Sequence, residues 1–210
     1  GWYRRDFVLE EIFEHMDATM ADAVIQGGNG RVLLRFEGVY MDSVVYVNGK
    51  AVKEWKYGYS TFDVDVTDYL QPGRNQVIVK VTYMSPNTRW YSGAGIYRNV
   101  WMRKVPSNYL TTDGIYAVTR PCQGRENCWK LDLSAELTWN QEDPNSVYKA
   151  KATLFRDGKE ISIEGEKELE LHFPEEKAVF SLFVQEPKLW DIETPNVYRL
   201  KVELTDVLRS

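Results

Sequence analysis

The stretch WKLDLSAELTW, residues 129–139, decides the fold class. Its odd positions are apolar and its even positions are polar, without a break. Since neighbouring side chains of a strand point to opposite faces, this alternation predicts a strand with one buried and one solvated face. Strands buried in a parallel sheet would be continuously apolar, so the stretch favours an antiparallel sheet.

The same alternation recurs along the chain, and turn signals separate its occurrences. It is found again at residues 31–37, 76–83 and 197–204. The dipeptides NG at 48–49 and DG at 157–158 suit two-residue hairpin turns with positive φ. Many short strands at this spacing predict an all-β sandwich architecture.

One segment departs from the strand pattern. Apolar residues recur at every fourth position from Ile12 to Val24. This spacing predicts one amphipathic helix over residues 10–25, ending at the glycine cluster of residues 27–30.

The chain of 210 residues can form one large sandwich or two domains of about 100 residues each. The short polar segment VPSN, residues 105–108, follows a predicted strand at 98–104, and strand signals restart at Ile115. Because a proline has no backbone N–H to donate to a neighbouring strand, it is typical of a linker rather than of a sheet interior. We therefore predict two β-domains, residues 1–106 and 107–210.

Composition excludes several classes of partner. Lys and Arg total 26 against 31 Asp and Glu, and the resulting charge of −5 argues against binding to nucleic acid. With 43% hydrophobic and 27% charged residues the chain should be globular rather than disordered. No apolar run approaches the roughly 20 residues of a membrane span, so we expect no membrane partner.

Signatures of catalysis are absent from the sequence. The two histidines, His15 and His172, lie in no recognisable motif. Ser92 lacks the glycine two positions earlier that a nucleophile elbow requires. The GAG at 93–95 is followed by Arg98 where a dinucleotide site needs glycine. We predict no catalytic residue, no cofactor and no metal site.

The two cysteines, Cys122 and Cys128, bracket a turn between the predicted strands 115–120 and 129–139. They could face each other across a hairpin. The sequence is compatible with a disulfide between them and equally with two free thiols. A disulfide would favour a periplasmic or secreted location, which is otherwise undetermined. Further along, the charge-rich residues 164–170 are predicted to form one exposed edge strand.

The segment with the clearest functional signal is RWYSGAGIYRNV, residues 89–100. Trp90 and Tyr91 offer flat faces for stacking on sugar C–H surfaces, and the five donors of Arg89 could bind hydroxyls. In the alternative interpretation, the aromatic rings cap the sandwich core.

This segment resembles the closing strand of the N-terminal sandwich domain of glycoside hydrolase family 2, most of all that of its β-galactosidases. Further blocks resemble the family in the right order. They lie at residues 3–7, 32–39, 45–50, 58–62, 65–70, 187–190 and 194–200.

The resemblance implies a jelly-roll-type, galactose-binding-like sandwich followed by an immunoglobulin-like sandwich. In the family these precede a (β/α)8 barrel that holds both catalytic glutamates, one of them in an Asn-Glu dipeptide. This chain has no Asn-Glu dipeptide, and it opens within a predicted strand. We therefore expect a fragment without the barrel, inactive alone, in which no residue is catalytic.

The resemblance also implies that the first domain lends a loop to the rim of the active site. The matching positions are Arg89, Trp90, Tyr91 and Ser92, while Arg98 should anchor structure under the sandwich. Residues 10–30 exceed what the family needs between its first two strands and remain unaligned.

The resulting prediction is the non-catalytic front of a retaining β-galactosidase. Its partners would be a β-galactoside-type carbohydrate and the absent barrel, and a homo-oligomer stays open. β-Glucuronidases and β-mannosidases share this front, so the glycoside is not fixed. The alternatives are a stand-alone carbohydrate-binding module and a tandem-sandwich structural or adhesion protein.

Overall fold

The computed structural model describes residues 1–12, 30–84, 86, 92–140 and 145–207. These residues form two compact units, Gly1–Ser107 and Asn108–Ser210. A single helical turn, α1 (Leu9–Ile12), lies at the start of the predicted helix, and the rest of that helix falls outside the described residues. Within the described ranges, no helix has the length and apolarity that crossing a bilayer requires.

The first unit is built from antiparallel strands. Its strands are β1 (Trp2–Val8), β2 (Arg31–Phe36), β3 (Val39–Tyr40), β4 (Ser43–Val47), β5 (Lys50–Trp55), β6 (Phe62–Asp65), β7 (Arg74–Val81), β8 (Gly95–Ile96) and β9 (Val100–Val105). One sheet has the order β1-β7-β4-β5 and another the order β6-β2-β9, while β3 pairs with β8.

The two larger sheets of this unit pack face to face. Every second residue of β7 is buried, among them Val79, which is 2% exposed. On the opposing sheet Phe36 is 1% exposed, and its ring stacks on Phe62 with centroids 5.0 Å apart. Since each fully buried large apolar side chain contributes about 1.5–3 kcal/mol, this shared core stabilises the predicted sandwich.

A polar network closes one corner of this sandwich. Arg31 donates from Nε to Asp65 at 2.8 Å and from both terminal nitrogens to Asp68 at 3.1 Å. The Thr67 hydroxyl donates to Asp65 at 2.7 Å and accepts the Val32 amide at 2.8 Å. Because Thr67 and Val32 are both fully buried, the Thr67 hydroxyl satisfies a backbone amide that water cannot reach.

Replacing Thr67 with valine should lower the free energy of unfolding by about 1–3 kcal/mol, because the buried Val32 amide loses its acceptor while the shape is kept. Urea unfolding measures the effect, and Thr119→Val, at an exposed position, is the control. Equal stability of the two variants would contradict the role assigned to Thr67.

The second unit is also antiparallel. Its strands are β10 (Asn108–Pro121), β11 (Cys128–Trp139), β12 (Val147–Arg156), β13 (Lys159–Glu160), β14 (Glu164–Gly165), β15 (Glu168–His172), β16 (Lys177–Gln185) and β17 (Arg199–Asp206). One sheet has the order β10-β11-β16-β14, and in the other β12 pairs with β13, β15 and β17.

Strand β11 is the stretch on which the fold prediction began, and the predicted alternation is confirmed. Leu131, Leu133 and Ala135 are buried, while the even positions between them are partly exposed. They share one core with Ala152 and Leu154 of β12 in the other sheet. The all-β prediction, a jelly-roll-type sandwich followed by an immunoglobulin-like one, is therefore confirmed.

Both predicted hairpin turns are confirmed as well. Asn48 and Gly49 have φ values of 47° and 80° between β4 and β5. Asp157 and Gly158 have φ values of 50° and 76° between β12 and β13. Asparagine, aspartate and glycine tolerate this region best, which is why the dipeptides were informative.

Two strand predictions were wrong. Strand β10 begins at Asn108 rather than at Ile115, because a register shift between Leu110 and Ile115 interrupts the alternation. Residues 164–170 are not one strand: β14 pairs with β16 in one sheet, and β15 pairs with β12 in the other. The charge pattern marked an exposed edge but could not show that the chain changes sheets there.

The open question about the cysteines is answered by a disulfide between Cys122 and Cys128, whose Cα atoms are 5.4 Å apart. The Cys122 amide also donates to the Cys128 carbonyl at 2.9 Å, which extends the ladder between β10 and β11. The disulfide therefore crosslinks the two strands of the hairpin that the sequence predicted.

Removing this disulfide should cost about 2 kcal/mol of stability, because the sequence separation of 6 closes only a short loop of the unfolded chain. The double variant Cys122→Ala/Cys128→Ala should unfold at lower urea than the oxidised protein. A reductant should destabilise the original chain and leave the double variant unchanged. A reductant that shifts neither protein would contradict the prediction.

Candidate functional site

The structure describes one of the four predicted rim residues. Arg89, Trp90 and Tyr91 lie outside the described residues. Ser92 is partly buried, and the Tyr83 hydroxyl lies 3.2 Å from both its carbonyl oxygen and its Oγ. The role of all four residues at an active-site rim stays a prediction.

Beside Ser92 lies a group of aromatic side chains that we call the tyrosine cluster: Tyr40, Tyr57, Tyr59, Tyr83 and Tyr97. The ring centroid of Tyr40 is 5.1 Å from that of Tyr59 and 6.2 Å from that of Tyr83. Tyr57 and Tyr59 meet edge to face at 5.8 Å. The cluster therefore connects an exposed turn to the segment that ends at Ser92.

Two glycines make this arrangement possible. A Cβ at Gly58 would overlap the Tyr40 ring, and a Cβ at Gly38 would lie 2.6 Å from the Tyr97 ring. The Tyr97 hydroxyl donates to the Gly58 carbonyl at 2.7 Å. The turn that carries Tyr57 and Tyr59 is thus fixed by a ring beneath it and by a hydrogen bond at its side.

The residues of the tyrosine cluster differ strongly in how much of each is exposed. Tyr40 is 7% exposed, whereas Tyr57 and Tyr59 are 61% and 57% exposed. A hydrogen bond with the Tyr40 side chain, followed by partial burial, raises the pKa of Tyr59 above its ordinary value. The Tyr59 phenol is thus hydrogen-bonded to Tyr40, while more than half of the residue stays exposed.

This arrangement suits a sugar. An exposed ring face can stack on the C–H surface of a pyranose while a phenol exchanges hydrogen bonds with its hydroxyls. Sequence reasoning missed the cluster, because residues 58–62 were interpreted only as a strand signature. The signal was the pair of tyrosines flanking Gly58, which is too short a pattern to interpret without the fold.

The prediction for Arg98 was wrong. Its side chain is exposed, and its guanidinium carbon lies 5.6 Å from the centroid of the Tyr97 ring. The residue falls between β8 and β9, where neighbouring side chains are exposed as well, so it lies on the surface instead of under the sandwich.

His172 also lies at a surface. It ends edge strand β15, and its Nε2 is 3.2 Å from Glu170 with about half of the side chain exposed. His15 falls outside the described residues. Across the described part of the chain, no group of three or more Asp, Glu, His or Cys side chains is placed to hold a metal ion.

In the second unit, the structure explains the pattern of residues 187–200. The carboxylate of Asp191 accepts hydrogen bonds from the backbone amides of Glu193 and Thr194 at 2.8 and 2.6 Å. With the Thr194 hydroxyl, these bonds lower the pKa of Asp191 below its ordinary value. The Tyr198 hydroxyl accepts the Lys188 amide at 2.8 Å, which holds the segment against the start of β17.

Two family profiles match the chain, one over each unit. The profile described as "Glycosyl hydrolases family 2, sugar binding domain" matches residues 2–106. The profile described as "Glycosyl hydrolases family 2" matches residues 127–208.

Individual proteins with sequences or structures similar to this chain are consistent with the two profile matches. Beta-galactosidase BoGH2A of Bacteroides ovatus is 34% identical over 219 residues, which cover 100% of this chain and 23% of that protein. A family 2 glycosyl hydrolase structure from Bacteroides cellulosilyticus matches with a TM-score of 0.78 and 25% identity, over 97% of this chain and 26% of that one.

A Bacteroides uniformis beta-glucuronidase structure matches with a TM-score of 0.75 and 25% identity, over 98% of this chain and 24% of that one. The chain thus spans about a quarter of the length of these relatives. From the profile matches, the identity over the whole chain and the shared sandwich fold, the chain belongs to glycoside hydrolase family 2.

Proposed function

We propose that this chain is the non-catalytic N-terminal portion of a retaining family 2 β-galactosidase that hydrolyses terminal β-galactosides. The observation that carries the proposal is the 34% identity to a Bacteroides ovatus β-galactosidase, which extends over 100% of this chain. The match to a β-glucuronidase structure at 25% identity makes β-glucuronides the competing substrate class.

In the complete enzyme, two glutamates of the barrel would perform the chemistry. One would protonate the leaving oxygen, and the other would form the glycosyl-enzyme intermediate. The part left to this chain is to bind and orient the substrate, since interactions remote from the scissile bond help to align the reacting groups. Of the two domains, residues 1–106 and 107–210, the first would supply the rim of the active site, and both would brace the barrel.

The residues that we assign to the rim are Arg89, Trp90, Tyr91 and Ser92. The contact between Ser92 and Tyr83 supports the assignment, because it connects the end of this segment to an exposed aromatic surface on the same unit. Arginine and two aromatic rings in sequence offer both hydrogen-bond donors and stacking faces for a sugar.

Two measurements test this role. The isolated chain should show no turnover of a chromogenic β-galactoside, because neither catalytic glutamate belongs to it. In the complete enzyme, Trp90→Ala should lower kcat/KM for a β-galactoside about tenfold, which corresponds to about 1.4 kcal/mol of lost interaction with the transition state.

The matched control is Trp2→Ala, which removes an indole that is 66% exposed and distant in sequence from the rim segment. It should leave kcat/KM unchanged. Turnover by the isolated chain, or equal losses in the two variants, would overturn the proposed role.

Calorimetry and sedimentation separate the alternatives. A stand-alone carbohydrate-binding module would bind galactosides tightly as the isolated chain, whereas we expect millimolar binding at best. A tandem-sandwich adhesion protein would associate with itself and show no sugar dependence. The disulfide supports a periplasmic or secreted location for the enzyme, since such bonds persist in oxidising compartments.

A further inference from the structure

We propose that the second unit binds the remainder of its own polypeptide through one apolar surface, which consists of residues 187–198 and the groove beside them. We call residues 187–198, which lie between β16 and β17, the docking loop. The inference rests on the proposed function, because it takes this chain to be the N-terminal portion of a longer enzyme.

The first support is the exposure of large apolar side chains along the docking loop. Ile192 is 86% exposed, Val197 71% and Trp190 61%. Leu189 is also more than half exposed. Single apolar residues at a surface are ordinary, but several in one short segment mark an interaction site. Tryptophan in particular is enriched among the residues that contribute most to protein interfaces.

The second support is that the docking loop is held in shape by polar bonds within itself. A backbone bridge joins Trp190 to Pro195. The Asn196 side-chain amide donates to the carbonyl oxygens of Leu189 and Thr194 at 2.9 and 3.1 Å. Because these polar groups already have partners, another surface can cover them at little desolvation cost. A loop ordered in advance also loses little conformational entropy on binding.

The third support is an apolar groove of about 490 Å³ beside the docking loop. It is lined by Trp190 of the loop, by Ala117 of β10 and by Leu200 of β17. The core residues Leu131 and Leu154 line it as well, so the groove reaches the interior of the sandwich. Since protein interiors contain few voids larger than a water molecule, an apolar side chain projecting from the bound surface should fill this opening.

The occupant follows from the length of the relatives. This chain corresponds to 23% of the Bacteroides ovatus β-galactosidase and to 26% of the Bacteroides cellulosilyticus structure. In the proposed enzyme about three quarters of the polypeptide therefore lie outside this chain and are tethered to it covalently. Tethering gives a high effective concentration, so a surface of a few side chains suffices to hold the partner. The docking loop then stabilises the complete enzyme and takes no part in bond breaking.

Hydroxyl-radical footprinting read by mass spectrometry tests the contact by comparing the isolated chain with the complete enzyme. Trp190 should be oxidised at least about fivefold more slowly in the complete enzyme, because the centre of an interface excludes solvent.

The matched control is Tyr116, which is 69% exposed on β10. It lies on the face opposite the groove, because the next residue, Ala117, lines the groove and neighbouring side chains of a strand alternate. Its oxidation rate should differ less than about twofold between the two proteins.

A substitution measures what the contact contributes. Ile192→Ser should leave the urea midpoint of the isolated chain unchanged, because the side chain is exposed there. In the complete enzyme the same substitution should speed the thermal loss of activity about fivefold, because a contact that resists opening is weakened. Tyr116→Ser is the matched control and should change neither quantity.

Three results would overturn the inference and leave the proposed function standing, because footprinting does not depend on catalysis. One is equal oxidation of Trp190 in the two proteins, and another is equal protection of Trp190 and Tyr116 in the complete enzyme. The third is protection in the isolated chain that rises with its concentration, since this would make the surface an interface between copies of the chain. A complete protein that hydrolyses no glycoside would overturn the proposed function, whereas protection of Trp190 in it would still support the docking surface.

Discussion

Replacing Phe180 with alanine should lower the free energy of unfolding of the second unit by about 3–5 kcal/mol. Phe180 is 1% exposed on β16 and lies in register with Leu133 of β11, at the centre of the core between the two sheets. Its removal would sacrifice the transfer free energy of the ring and leave a cavity that the surrounding strands fill only in part.

The neighbouring Val179 provides the control, because it is 64% exposed on the opposite face of the same strand. Val179→Ala should change stability by less than about 0.5 kcal/mol. Hydrogen exchange followed by peptide mass spectrometry should show faster exchange in β11 and β16 for the Phe180 variant. Similar exchange in the two variants would contradict the sandwich core described for this unit.

Replacing Gly165 with alanine should destabilise the second unit by about 2–5 kcal/mol through two separate costs. Gly165 has a φ of +100°, which an L-residue adopts at a cost of about 1–2 kcal/mol. In addition, a Cβ would overlap the carbonyl oxygen of Ser181 on the neighbouring strand, and overpacking of this kind costs about 1–3 kcal/mol. The pairing of β14 with β16 should open.

Gly158→Ala isolates the first cost from the second. Gly158 has a similar φ of +76°, but a Cβ there would meet no atom within 4 Å. This variant should lose only the conformational cost, about 1–2 kcal/mol. If urea unfolding gives the two variants the same stability, the close approach of β14 to Ser181 is not the reason why residue 165 is a glycine.

The elements that could be predicted from the sequence are those determined by local chemistry. The alternation of residues 129–139 directly indicates which side chains are buried. The Asn-Gly dipeptide at 48–49 indicates the positive φ of its own backbone. The early start of β10 was hidden because its register shift breaks the periodicity. The sheet change after Gly165 was hidden because partner strands are set by the tertiary fold.

The residues of the candidate site also differ in whether local sequence could predict them. Arg89, Trp90 and Tyr91 are adjacent in the sequence, so their shared chemistry could be recognised as a motif. Tyr40 and Tyr59 belong to different blocks, and only the close approach at Gly58 brings their rings together. A cluster assembled from several short segments leaves no contiguous signal in a single sequence.

The most direct test of the central claim is to follow hydrolysis of methyl β-galactoside and methyl β-glucuronide by the complete enzyme with proton NMR. We expect faster cleavage of the galactoside, with β-galactose as the first sugar to appear, as retention of configuration requires. Faster cleavage of the glucuronide, first release of α-galactose, or no cleavage of either glycoside would contradict the assignment as a retaining β-galactosidase.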